Sequence, residues 1–359
     1  MKTIPPENIT HYHVFNTHFK PLSYSELNSV AVKKDKTLNL SFEGLITEDI
    51  STPSPDFKNV KSNFTITFNE EFQIFSLIED GWLPLPFVNP PHFLVDSNVI
   101  INLEKLMKNP SISSSENASW WLQLINTSDV IINPILYAFE GKEMTTPKFS
   151  DFVDCFEDST RTIQNVLPNA KIIIFTPETY AEVYKIVKNS LEKREKHTDF
   201  LLRVNSIIYN HVSKRNLSKV ELEIIKIAKG LKINLMSLTV LATLSCLYEI
   251  NDSSYFPAAR KILKLSPKFN ETSAFNALSD LSAIELFIGT GAVSNVKELL
   301  KFAFCTSDKS IALFGCGLNL KNKSFGANGL TCNVSITKEL FPILNDAERQ
   351  ELITRLSNK

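Results

Sequence analysis

Two short apolar runs that lead into aspartates constrain the fold of this chain more than any other feature. The run FLV leads directly into Asp96, and FAFC leads through two hydroxyl residues to Asp308. Runs of this length predict buried strands, and the carboxyl ends of parallel strands open onto the ligand crevice of an α/β sheet. Two aspartates placed in this way can converge closely enough to share a hard divalent cation, without which their charges repel each other.

The chain beyond residue 91 repeats the pattern of a short apolar strand followed by a helix. Strands are predicted at 92–95, 130–132, 172–175 and 303–305, and helices follow them at 99–107, 135–140, 178–191 and from about 311. Asn133 with Pro134, and Thr176 with Pro177, are typical of a helix cap and first turn. These units predict an α/β fold, with a parallel sheet flanked by many helices.

The first 88 residues have a different character. Short β-prone runs at 63–68 and 72–78 alternate with proline, serine and aspartate, which predicts a small β-rich N-terminal module. The proline-dense segment 82–91 is unsuited to a helix or a central strand and is interpreted as a connector. We therefore expect three parts: the module at 1–88, the main domain at 89–325, and a C-terminal strand and helix at 326–359.

The charge balance gives no general argument for nucleic acid binding. The chain has 38 Lys and Arg against 39 Asp and Glu, a net charge of −1, so counterion release from a nucleic acid is not indicated. One segment, 189–219, is rich in Lys and Arg. Its intervening glutamates favour a solvated helical face over a nucleic acid contact.

Cysteine spacing and hydropathy bear on the compartment. None of the five cysteines lies in a CxxC pair, which favours reduced, mostly buried thiols over a zinc site. The N-terminal segment lacks the basic start and apolar run of a secretory signal. The most apolar later stretch, 235–247, is shorter than the ~20 residues that cross a bilayer, so it is interpreted as a buried helix. We expect a cytoplasmic protein without a membrane segment.

The segments FLVDSNVI, around Asp96, and FCTSDKSI, around Asp308, resemble the opening motif of the PIN domain superfamily. The resemblance covers roughly residues 93–320, with a break in the middle. It implies a small α/β domain with a central parallel sheet. In active members of that family, a set of acidic residues binds Mg²⁺ or Mn²⁺ and hydrolyses phosphodiesters, mostly in RNA.

Two further acidic positions follow from this resemblance. The second acid of the family, a Glu on the helix after the second strand, corresponds best to Glu140, with Glu182 as its competitor. The third, an Asp on a helix before the last strand, corresponds best to Asp280. Glu285 faces elsewhere on that helix, because only neighbours three or four residues apart share a face. The long separation of Glu140 from Asp280 implies a helical insertion at about 142–270.

The resemblance implies an activity and a set of site residues. The expected catalytic and metal-binding acids are Asp96, Glu140, Asp280 and Asp308. Three polar neighbours are expected to orient these acids or to contact the phosphate: Ser97, Asn98 and Thr306. The expected reaction is metal-dependent hydrolysis of RNA, or of DNA, that leaves a 5′-phosphate. A role as a toxin or in defence, with an antitoxin or another protein as partner, follows from the same analogy.

Other interpretations of these residues stay open. A haloacid dehalogenase-like enzyme also places its nucleophile after a buried strand, but it requires a DxD motif, and Asn98 stands at the second position. A PIN-like module that binds RNA or protein without cleaving, or a structure-specific DNA nuclease, fits the same pattern. Asp96 and Asp308 could also be simple helix caps. Glu140 and Asp280 could be ordinary polar residues of amphipathic helices.

Overall fold

Eleven strands, described in three sheets, give the protein its framework. The computed structural model describes residues 13–32, 37–47, 58–67, 74–88, 92–108, 131–140, 147–296, 302–326 and 329–357. The strands are β1 (His13–Phe19), β2 (Thr37–Thr47), β3 (Lys58–Thr67), β4 (Phe75–Ile78), β5 (Gly81–Pro84), β6 (His92–Val95), β7 (Ile131–Asn133), β8 (Lys171–Ile172), β9 (Phe302–Thr306), β10 (Leu318–Gly326) and β11 (Gly329–Ile336).

Twelve α-helices are described around these strands. They are α1 (Tyr24–Val32), α2 (Ser97–Lys108), α3 (Ile135–Glu140), α4 (Phe149–Val166), α5 (Pro177–Glu192), α6 (Arg194–Ile208), α7 (Leu217–Gly230), α8 (Leu238–Leu247), α9 (Ala258–Leu263), α10 (Glu271–Val296), α11 (Lys309–Cys316) and α12 (Asp346–Ser357). Short 3₁₀ helices lie at Leu85–Phe87, Lys214–Asn216 and Lys338–Leu340.

The largest sheet has six strands in the order β5-β4-β9-β6-β7-β8. Strand β6 lies parallel to both β9 and β7, and β7 lies parallel to β8, whereas β4 pairs antiparallel with β9 and β5. The carboxyl ends of β6, β7 and β9 therefore meet at one edge of the sheet. The predicted α/β class and the helix-flanked, mostly parallel sheet are confirmed.

Both faces of this sheet are buried, which explains its continuous apolar strands. Phe93 and Val95 of β6 lie in an apolar cluster with residues of α2 and the end of α4. The residue between them, Leu94, lies in the larger core cluster on the opposite face, together with Phe304 of β9. Helix α10 covers that second face, where Phe287 packs 5.7 Å from Phe304, centroid to centroid. Side chains alternate across a strand, so both faces require apolar residues.

The N-terminal strands divide between two sheets. Strands β1, β2 and β3 form a separate antiparallel sheet, and Leu38 and Leu40 of β2 are buried in the main core beside α1. Strands β4 and β5, which the sequence places with the N-terminal module or its connector, pair instead with the central sheet. Strand β8, inside the range expected as an insertion, also belongs to the central sheet.

Buried cysteines and a buried apolar helix are found where the sequence predicts them. Four of the cysteines are free and buried, as predicted: Cys155, Cys246, Cys305 and Cys316. The side chain of the fifth, Cys332, lies outside the described set. The segment 235–247 contains the buried helix α8. In the described ranges, none of the helices combines the length and the apolar character needed to span a membrane.

The junction between α1 and β5 gives a first testable prediction. Gly81 has φ +156°, and a Cβ at this position would overlap the carbonyl oxygen of Leu22, which accepts from the Trp82 N–H at 3.1 Å. We expect Gly81→Ala to lower the free energy of unfolding by about 1–3 kcal/mol, since only glycine adopts this conformation readily. Chemical denaturation measures the change.

The matched control is Gly230→Ala at the end of α7, where an added Cβ meets nothing within 4 Å. Alanine is the better helix former, so this variant should be neutral or more stable by up to about 1 kcal/mol. Equal destabilisation by both substitutions would contradict the assignment of strain to Gly81.

Candidate functional site

Asp96 lies at the carboxyl end of β6, in the interior of the central sheet. Its backbone N–H donates to the carbonyl oxygen of Cys305 at 2.9 Å, which extends the pairing of β6 with β9 by one residue. The residue is only 7% exposed. Helix α2 begins directly after it, so the aspartate occupies the strand-to-helix turn that the sequence predicts.

Donors from both strand ends surround the Asp96 carboxylate. Its Oδ1 accepts from the Ser97 N–H at 2.8 Å. Its Oδ2 accepts from the Thr306 hydroxyl at 2.7 Å and from the Asn98 amide at 2.6 Å. The three polar residues expected beside the acids therefore lie in contact with Asp96 itself, and they hold its carboxylate in one orientation.

A second layer of hydrogen bonds joins the two strand ends. The Asn98 Oδ1 accepts from both the N–H and the hydroxyl of Ser307, at 2.9 and 2.8 Å. The Asp308 N–H donates to the Thr306 hydroxyl at 3.0 Å. The sequence analysis did not predict a role for Ser307. Its position between Thr306 and Asp308, two expected site residues, could have indicated one. The network keeps the ends of β6 and β9 in register.

Three acids expected from the sequence line one cavity beside this network: Asp96, Glu140 and Asp280. Each comes from a different element, since Glu140 ends α3 after β7, and Asp280 lies on α10. Glu182 is exposed on α5 and Glu285 is exposed on α10, and neither lines this cavity. The fold thus brings Glu140, not its competitor, to Asp96 and Asp280.

Asp308 caps a helix and also affects the electrostatics of the site. Its Oδ1 accepts from the backbone N–H groups of Ser310 and Ile311, at 2.6 and 3.3 Å, and so caps helix α11. It does not line the cavity, yet its charge raises the pKa of both Asp96 and Asp280. The helix-cap interpretation therefore describes one of its oxygens, while the carboxylate also contributes to the potential of the site.

Burial and mutual repulsion govern the protonation of the two most enclosed acids. Burial raises the pKa of Asp96 to about 7, with repulsion from Glu140 and Asp308 adding and the Thr306 and Ser97 hydrogen bonds opposing. Burial also raises the pKa of Asp280 to about 7, opposed by Lys264 and augmented by Asp96 and Asp308. Burial is the larger cause for both acids, and a nearby positive charge favours their ionised forms.

Two basic side chains supply positive charge beside these acids. The Lys264 ammonium lies 3.1 Å from the Asp280 Oδ2. Arg194, the first residue of α6, lines the cavity, donates from Nη2 to the Ser279 hydroxyl at 3.3 Å, and lies 4.4 Å above the ring of Phe275. Burial lowers the pKa of Arg194 to about 10, an effect that Glu140 opposes. Arg194 comes from the Lys/Arg-rich segment that the sequence assigned to a solvated face.

The donor set fits a hard divalent cation by its chemistry. Carboxylate oxygens are the ligands that Mg²⁺ and Mn²⁺ prefer, and Asp96, Glu140 and Asp280 bring such oxygens to one cavity. Within the described ranges, no group of three or more Asp, Glu, His or Cys side chains is arranged to hold an ion as it stands.

Comparisons of the chain with protein-family models, with curated proteins and with solved structures find no match. The geometry of its own residues therefore defines the chemistry of the site. That geometry consists of acids on separate elements, tied to the strand ends of one sheet and enclosed with two basic side chains.

The raised pKa values predict how stability depends on pH. In the folded chain Asp96 and Asp280 hold protons up to about pH 7, whereas the unfolded chain releases them near the ordinary aspartate pKa of 3.8. The folded state therefore binds more protons between these values, and the free energy of unfolding falls as the pH rises through this window. In Asp96→Asn this loss should shrink by on the order of 2 kcal/mol between pH 5 and pH 8.

Urea denaturation of the native chain and of Asp96→Asn at both pH values measures this difference. Glu182→Gln, which removes an exposed carboxylate outside the cavity, is the control and should follow the native chain. If Asp96→Asn changes the unfolding free energy equally at pH 5 and pH 8, the assignment of a raised pKa to Asp96 is wrong.

Proposed function

We propose that this chain is a divalent-metal-dependent phosphodiester hydrolase of PIN-like type, with RNA as its substrate. One observation carries the proposal: Asp96, Glu140 and Asp280, far apart in sequence, line one cavity at the carboxyl edge of a mostly parallel sheet. Parallel α/β sheets bind their ligands at this edge. The resemblance of the Asp96 and Asp308 segments to the PIN motif supports the same assignment.

Each group of residues has a distinct part in this proposal. Asp96, Glu140 and Asp280 would hold Mg²⁺ or Mn²⁺, with Asp308 adding negative charge. When bound, such a cation lowers the pKa of a coordinated water and offsets the charge of the phosphate oxygens. Thr306 and Asn98 orient Asp96 through its Oδ2, so the ligand is positioned before the substrate arrives.

A second candidate function has its own support. Lys264 already forms an ion pair with Asp280, and the Asp308 Oδ1 already caps a helix. The first contact occupies a carboxylate oxygen that a metal would require, and the second uses an oxygen of the fourth expected acid, which does not line the cavity, as a helix cap. Both favour a PIN-like module that binds RNA or protein without cleaving it. Cleavage assays separate the two functions, because only the hydrolase requires a divalent cation and Asp96.

We expect the purified chain to cleave labelled RNA in Mn²⁺ or Mg²⁺ and to stop when the metal is chelated. Asp96→Asn should lose on the order of 100-fold or more in rate, since even residues that orient metal ligands are worth about 10–100-fold. Single-stranded and structured DNA serve as parallel substrates. The matched control, Glu182→Gln, should cleave at the native rate.

Activity that survives in Asp96→Asn would exclude the proposed metal site. Native protein that binds RNA without cleaving it in either metal would favour the second candidate. Cleavage of structured DNA in preference to RNA would retain the chemistry and change the substrate.

The capping role of Asp308 can be separated from its charge. Asp308→Ser keeps a good helix cap and removes the carboxylate, whereas Asp308→Ala removes both. We expect Asp308→Ala to lose about 1 kcal/mol of unfolding free energy and Asp308→Ser to lose less, while both lose cleavage activity. Denaturation and cleavage assays on the two variants make the comparison. Full activity in Asp308→Ser would show that Asp308 acts only as a cap.

A further inference from the structure

Arg194 is a cation in an acidic cavity that pairs with none of its acids. It lines the cavity with Asp96, Glu140 and Asp280, yet among the described residues it forms no ion pair with a carboxylate. Its Nη1 is fully buried and has no hydrogen-bond partner among the described residues. A buried charged donor without an acceptor costs free energy, and a ligand that supplies the acceptor is one explanation for such a group.

Helix α10 holds the guanidinium in place. Phe275 and Ser279 lie four residues apart on one face of α10, and Asp280 directly follows Ser279. The guanidinium carbon lies 4.4 Å from the centroid of the Phe275 ring, while Nη2 donates to the Ser279 hydroxyl at 3.3 Å. These contacts hold the guanidinium against α10 and use its Nη2. Nη1 has no acceptor among the described residues, and the Arg194 side chain lines the same cavity as the acids.

The chemistry of the missing acceptor follows from these surroundings. The ligand must bring a negatively charged oxygen into a cavity that is already acidic, so it must also be compatible with a cation bound by those acids. A phosphate group meets both conditions, because its oxygens accept from guanidinium donors and bind divalent cations.

We propose that Arg194 binds a non-bridging oxygen of the substrate phosphate through Nη1. This inference rests on the proposed phosphodiester hydrolase function and adds to it a phosphate-binding residue supplied by the helical part of the chain. Arg194 holds the phosphate next to Asp280 and offsets part of its charge as a water oxygen bonds to phosphorus, losing a proton to solvent, and the P–O bond to the 3′-oxygen breaks, that oxygen leaving as a protonated hydroxyl. Lys264 does not share this role, because its ammonium is paired with Asp280.

Binding without cleavage provides the test. Three proteins are compared: the non-cleaving Asp96→Asn variant, and the same variant with Arg194→Gln or Arg194→Lys added. The anisotropy of a short fluorescein-labelled RNA in Mg²⁺ measures the affinity of each. We expect Arg194→Gln to weaken binding by about tenfold or more, as for loss of a charged hydrogen bond, and Arg194→Lys to recover only part of it. The matched control is Arg203→Gln on the same helix, where Arg203 is exposed and paired with Asp199. It should bind like the parent.

A structural role for Arg194 predicts a different pattern. It would lower thermal stability and leave the affinity of the folded protein for RNA unchanged. Equal affinity of folded Arg194→Gln and Arg203→Gln overturns the proposal. If Arg194→Gln does not fold, equal affinity of Arg194→Lys and the control overturns it, because an ammonium does not reproduce a planar donor held on Phe275.

The outcome is separable from that of the proposed function. A native chain that cleaves RNA, with RNA affinity independent of Arg194, refutes this inference alone. A chain that binds RNA through Arg194 but cleaves in neither metal refutes the hydrolase and keeps the inference. A native chain that neither binds nor cleaves refutes both.

Discussion

The parallel pairing of β6 with β9 is the constraint on which the rest of this structure depends. Parallel neighbours cannot be joined by a tight turn, so the chain between them must leave the sheet and return. That excursion contains β7, β8 and helices α2 to α10. It ends with Thr306 hydrogen-bonded to Asp96 from 210 positions away in sequence. The register of two short strands therefore determines whether the acidic site forms at all.

Electrostatics opposes this assembly. Burial and repulsion raise the pKa of Asp96 and Asp280 to about 7, so near neutral pH the folded state holds carboxylates that the unfolded chain would ionise at less cost. The surrounding apolar packing must offset this penalty. Perturbed pKa values of this kind cluster at functional sites. A cation bound there, as proposed, would favour the ionised forms and offset part of this penalty.

The sequence predicted those parts of the fold and site that depend on local pattern. Strand β6 and Asp96 could be predicted because a strand buried on both faces is apolar throughout, so the polar residue at its end is easily recognised. Helix α8 could be predicted because it too is buried on all sides and is therefore mostly apolar. The pairing of β4 with β9 was missed because strand partners are not encoded locally. Arg194 was missed because a cation on a Lys/Arg-rich helix has the same sequence signature whether it faces solvent or a cavity. Asp280 came from resemblance to a family, and the structure places it in the cavity.

Helix capping and metal binding are often treated as alternative explanations for an aspartate at a strand end. A carboxylate has about four lone-pair sites, and the cap on α11 uses one oxygen of Asp308. Asp96 accepts one backbone N–H at Oδ1 and two side-chain donors at Oδ2. Such bonds restrict the rotation of the carboxylate while leaving acceptor capacity on Oδ1. Hydrogen bonds at a strand end therefore orient a carboxylate and still leave part of its acceptor capacity free for a metal ion. The two roles compete only where every lone pair is used, and for Asp280 the competitor is a single ammonium, that of Lys264.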